Sequence, residues 1–167
     1  LLHRLFFFAT ITFALTATAA ADKTWLATYK GKYSYDVVGD SRIQPLINET
    51  TSAKDCDGKN LAKLVFDGLS GPGEPVVVRG GQFVTVHACK AHACNEISMI
   101  WVDLKQSKTA SAYADLMGGP IYVSSRDFTA KKMDENFKKD FDTWVGQIHW
   151  NGKKPSVVFC GASEEHK

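Results

Sequence analysis

Residues 89–94, Cys-Lys-Ala-His-Ala-Cys, constrain this 167-residue chain more than any other stretch. Two cysteines bracket a tetrad with one imidazole, and runs rich in β-branched and aromatic residues flank it at 82–88 and 97–103. Both runs read as strands, so the bracket lies at the turn of a β-hairpin. Facing residues of an antiparallel pair have Cα atoms about 4.5 to 5.5 Å apart, inside the range a disulfide accepts. A bond between Cys89 and Cys94 would therefore form without bending the hairpin. Closing so short a loop is worth only about 2 kcal/mol by chain entropy. The larger consequence is a tip ordered before anything binds, with His92 as its fixed projection.

Whether such a bond forms depends on the compartment. Leu1-Leu-His-Arg4 is a short basic lead, residues 5–15 are apolar except for threonines, and 17–19 and 19–21 are small-x-small triplets. Residues 1–21 read as a secretory signal peptide, since the apolar run falls short of the roughly 20 residues a membrane span needs. Residues 22–167 are then expected to form a single domain, with no second apolar span, no linker and no membrane association after cleavage. In an oxidising compartment the four cysteines are read as disulfides. Three pairings are possible. If Cys89 bonds Cys94, Cys56 is left to Cys160. A formal net charge of +2, with no stripe of Lys and Arg, argues against nucleic acid as a partner.

The rest of the pattern divides into helices, then strands, then a helix. Residues 25–40 mix aromatics with turn formers and support no strand. Asp40 and Ser41 can cap a short helix through Ile43, Leu46 and Ile47, with Pro45 in or near its first turn. A second helix runs from about Gly58 through Leu61, Leu64, Val65 and Leu69, with Asp57 as its cap. Gly71-Pro-Gly-Glu-Pro75 ends the helical part. Five short strands follow at 76–79, 82–88, 97–104, 110–116 and 121–124, the first two joined at Gly80-Gly81. Asp134-Glu135 opens a last helix whose apolar face carries Phe137, Phe141, Trp144, Val145 and Ile148. An apolar segment, 155–159, leads into Cys160. The fold class expected is α+β: a five-stranded antiparallel meander with helices on both faces, in three layers α/β/α.

Three chemistries compete for the bracketed stretch. The hairpin disulfide can simply pin a register, leaving a cell-envelope domain without inhibitory or other activity at His92. His87, Cys89, His92 and Cys94 also spell H-x-C-x2-H-x-C, a set of possible zinc or copper ligands, although the spacing is not that of common zinc sites. A thiol enzyme is set aside from these three, because C-x4-C lacks the C-x-x-C arrangement of thiol oxidoreductases. The third reading is recognition of a protein partner. It rests on a resemblance.

Residues 86–94, Val-His-Ala-Cys-Lys-Ala-His-Ala-Cys, followed by an apolar strand with Trp101, resemble the Ivy family, periplasmic inhibitors of vertebrate c-type lysozyme in Gram-negative bacteria. That family carries C-K-P-H-D-C between two strands of a meander. Cys89, Lys90, His92 and Cys94 match, while Ala91 stands for the proline and Ala93 for the aspartate. The resemblance implies a periplasmic protein that is not an enzyme, uses no cofactor or metal, and contributes to evasion of host defence. Its implied partner is a c-type lysozyme, contacted by Lys90, Ala91, His92 and Ala93; a homodimer is compatible with it. Lysozymes cleave with a protonated glutamic acid and an ionised aspartate. An imidazole between the two offers a nitrogen to each and occupies the space the sugar needs.

Overall fold

A computed structural model of the chain describes residues 22–51, 56–150 and 155–160. The proposed signal segment at 1–21 lies outside the described residues. The chain opens with a 3-10 helix at Thr24–Tyr29, then α1 (Ser34–Val38), α2 (Ile43–Thr50) and α3 (Leu61–Gly68). The strands are β1 (Val77–Arg79), β2 (Phe83–Lys90), β3 (Ala93–Asp103), β4 (Thr109–Asp115) and β5 (Ile121–Ser124). Helix α4 (Glu135–Gln147) and strand β6 (Val157–Phe159) complete the order.

The sheet corrects the expected fold class. It has six strands, in spatial order β1-β2-β3-β4-β5-β6, and it is mixed, because β6 runs parallel to β5. The five-stranded antiparallel meander between helical layers is therefore not the architecture. The reason lies in α4. A helix between β5 and β6 carries the chain back to the end where β5 began, so the next strand must run in the same direction. Three apolar residues soon after Pro155 are too few to announce a strand by alternation. Among the described residues the helical segments are mostly short pieces of five to eight residues, with only α4 reaching 13.

Alternation along the strands sorts side chains into two separate cores. Val84, Val86, Ile100 and Val102 meet Leu26, Val37, Ile43, Ile47, Leu61 and Val65 from the short helices. Met99, Trp101, Ala112 and Val123 meet Phe137, Phe141, Trp144 and Val145 of α4. Asp140 secures that helix. Its carboxylate accepts two bonds from Arg79 and one from the Trp101 indole, all at 2.9 Å, so α4 is fastened to both the edge strand and β3. Asp134 caps α4, accepting the N–H groups of Asn136 and Phe137, where the sequence placed its start.

Two other caps differ from expectation. Asn60, not Asp57, caps α3, its side chain accepting the Lys63 N–H at 3.0 Å. Asp57 sits in a tight turn with φ of 53°, far from the extended backbone that an N-cap needs. Helix α2 begins after Arg42, and Asp40 instead folds back on the Arg42 N–H and guanidinium.

The Cys56–Cys160 disulfide joins the lead into α3 to the residue after β6, across 104 residues, with Cα atoms 5.5 Å apart. Among the described residues no helix is long and apolar enough to cross a membrane. The α4 core gives a direct test of packing. Phe141 is 5% exposed, and Phe141→Ala should destabilise by about 3 to 5 kcal/mol in urea unfolding. Met117 is 75% exposed, and Met117→Ala should stay within about 0.5 kcal/mol of the parent.

Candidate functional site

The bracketed stretch is a hairpin tip rather than a loop. β2 and β3 pair residue for residue from Phe83↔Asp103 to Cys89↔Ile97, and the register then shifts so that Lys90 pairs with Ala93. The extra residues on the β3 side are Cys94, Asn95 and Glu96, and only Ala91 and His92 lie beyond the last pair. Cys89 and Cys94 are disulfide-bonded, with Cα atoms 4.7 Å apart. His92 is exposed at the apex with φ of 62°. This left-handed conformation is disfavoured for most side chains, and histidine is among the few enriched there.

Neighbours hold the tip from two sides. The Cys89 N–H donates to the Pro72 carbonyl at 2.9 Å, the Gly71 N–H to the Cys89 carbonyl at 2.8 Å, and the Ala91 N–H to Ser70 Oγ at 3.2 Å. Gly71 must be glycine for this contact. A methyl group there would lie 2.6 Å from the Ala91 nitrogen and 2.7 Å from the Cys89 oxygen. On the other side, Lys90 Nζ bonds Glu96 at 2.7 Å, and the Tyr113 hydroxyl donates to the second Glu96 oxygen at 3.2 Å. The bond to Glu96 raises the Lys90 pKa, with Asp67 and Asp115 adding to it. Burial, then Glu96, pushes the Tyr113 hydroxyl well above its ordinary range. Asn95 anchors the bulge through its side chain to Asp115 and through its carbonyl to the Leu116 N–H.

Of the four residues expected to contact a partner, His92 stands out from the surface. Lys90 is turned back onto its own sheet by Glu96, while Ala91 and Ala93 are half-buried. The sequence reading missed the bracing strip 70–73, taking Gly71-Pro-Gly only as a helix stop. The cue was present in four consecutive residues of small or fixed geometry beside a disulfide hairpin. It also missed Glu96, which lies two residues past Cys94.

His87 does not join this site. It pairs across the ladder with Met99 and lines a cavity of about 810 Å³ with Glu74, Trp144, Ile148 and His149. Burial lowers its pKa, and the Glu74 charge opposes that only partly. The H-x-C-x2-H-x-C ligand set therefore does not assemble, because both thiols are consumed in the disulfide. Among the described residues no three His, Cys, Asp or Glu side chains are grouped to hold a metal ion.

No family model, no curated protein and no solved structure matches this chain.

The burial of His87 makes stability pH-dependent with a definite sign. Its pKa is lower folded than unfolded, so as pH falls the unfolded chain takes up the proton first. The contribution is fully present above the unfolded value of about 6.5 and is lost as pH drops from there toward the folded value. The melting temperature should fall between pH 7.5 and pH 5, and His87→Gln should flatten part of that slope in a thermal series.

Proposed function

We propose that the chain is an exported, periplasmic inhibitor of c-type lysozyme that acts by inserting the Cys89–Cys94 hairpin tip, led by His92, into the enzyme's active-site cleft. The observation that carries this reading is a narrow tip closed by a disulfide, braced by residues 70–72 and presenting one exposed imidazole. A tip already ordered loses little entropy on entering a cleft. The imidazole supplies a nitrogen to each of the two cleft carboxyls, so it displaces both the sugar and the water needed for hydrolysis.

The two departures from the Ivy pattern have different weights. Ala91 lacks the stiffness of proline, but its N–H is free to bond Ser70 Oγ, and that bond supplies the restraint from outside the turn. Ala93 has no substitute for the aspartate's acceptor oxygens, so this inhibitor binds more weakly than one carrying the full motif. Lys90 contributes by holding the tip against Glu96 rather than by reaching the enzyme.

The test is a cell-wall clearing assay with the mature protein and a c-type lysozyme. His92→Ala should raise the inhibition constant at least about thirtyfold, the loss of roughly 2 kcal/mol expected for an interface anchor, with the melting temperature nearly unchanged. His92→Gly removes the imidazole while suiting the left-handed backbone and should lose as much. Changing both Cys89 and Cys94 to serine should weaken inhibition less, and Ala93→Asp should tighten it by about 1 to 3 kcal/mol. Inhibition undiminished in both His92 variants would remove the hairpin from the mechanism, and absence of inhibition by the parent at high micromolar concentration would reject the assignment.

A further inference from the structure

Alternation along β2 and β3 puts His87, Cys89 and Ile97 on the α4 face of the sheet, beside the hairpin. Helix α4 ends at Gln147, and its last turn does not close over them. The cavity of about 810 Å³ that His87 lines runs between this patch and the end of α4, with residues 72–77 as its other wall. That wall is tied to β2 by the Cys89 N–H bond to the Pro72 carbonyl and by the Gly73↔Ala88 bridge, so the cavity is held open by backbone contacts. Its size and its chiefly apolar lining, with a few polar groups among them, are those of a small-molecule site.

The lining also selects a charge. Among the described residues, Glu74 alone of the Asp, Glu, Lys and Arg side chains lines the cavity. The end of α4 adds to it, since a helix C-terminus carries partial negative charge and the last turn of this 13-residue helix holds no basic residue. His87 offers a hydrogen bond without a charge. Burial keeps its ring neutral at pH 8, and no described residue hydrogen-bonds it, so one ring nitrogen is available to accept from an ammonium. Glu74 lies near enough for its charge to act on that ring. We propose that this cavity binds a small lipophilic amine in its cationic form, with the apolar body against Ile97, Leu116 and Trp144 and the ammonium between Glu74 and His87. An anion of the same shape would face Glu74 and the helix end with no lysine or arginine to offset them, and a neutral molecule would gain from neither. Such binding does not depend on lysozyme inhibition.

Three probes that share an indole body and differ in charge test this: tryptamine, a cation; tryptophol, neutral; and indoleacetate, an anion. Each is titrated into the full mature chain at pH 8 and low salt, with affinity read by calorimetry and location by amide chemical shifts. Tryptamine should bind at one site, about tenfold more tightly than tryptophol, and move the amides of residues 87–89 and 144–148, while indoleacetate should not bind. Glu74 and Gln147 are both exposed and both line the cavity, so variants at either should fold. Glu74→Gln should bring tryptamine down about tenfold, to the level of tryptophol, and Gln147→Lys should do the same by placing a cation at the helix end. Tryptophol or indoleacetate binding as tightly as tryptamine would overturn the inference. So would tryptamine affinity unchanged in both variants, or no saturable binding of tryptamine up to millimolar concentration.

Discussion

Strand β3 is buried from Ile97 to Asp103 on both faces, and the placement of everything else follows from that. Its side chains alternate between two cores, so a slip of one residue would exchange Trp101 and Met99 for Ile100 and Val102 and empty both. Register against β2 and β4 is thereby fixed without help from the turns. Asp140 adds direction, binding the Trp101 indole from one side and the Arg79 guanidinium from the other, so that α4 lies along one line on the sheet. Phe83, stacked on Trp101 with rings 13° apart and under the Arg79 guanidinium, completes the fastening of the edge strand.

From that register the functional proposal acquires its geometry. A fixed β2–β3 ladder projects Cys89 to Cys94 past the end of the sheet at one definite angle, and the bulge at Cys94, Asn95 and Glu96 turns the last pair. The disulfide is thus one of three restraints. Glu96, within the hairpin itself, and the strip 70–72, from the segment after α3, are the others. A tip held in this way can lose one restraint and keep its shape, which is why replacing the cysteines is expected to matter less than replacing His92.

Much of this was legible in residue types and periodicity. The hairpin announced itself by two β-rich runs around a cysteine bracket, and α4 by five apolar residues at helical spacing behind an acidic cap. The parts that were not legible share a physical cause. Strand β6 exists because α4 returns the chain to the open side of β5, a tertiary fact with three residues of local signal. Asn60 displaces Asp57 as the α3 cap because a disulfide-anchored turn at Cys56 takes Asp57 into left-handed backbone. The role of Gly71 depends on a close approach to Cys89 and Ala91, residues 18 and 20 positions away. His87 looked like a partner of His92 in the sequence, and strand alternation sends it to the α4 side instead.

The proposed inhibition requires that the hairpin tip and a sugar chain compete for one cleft. The most direct measurement is the affinity of the mature protein for a c-type lysozyme as a chito-oligosaccharide that fills the cleft is added. Competition predicts that the apparent dissociation constant rises in proportion to the oligosaccharide concentration, without limit over the range tested. A dissociation constant that does not change when the cleft is saturated would place the hairpin outside the cleft.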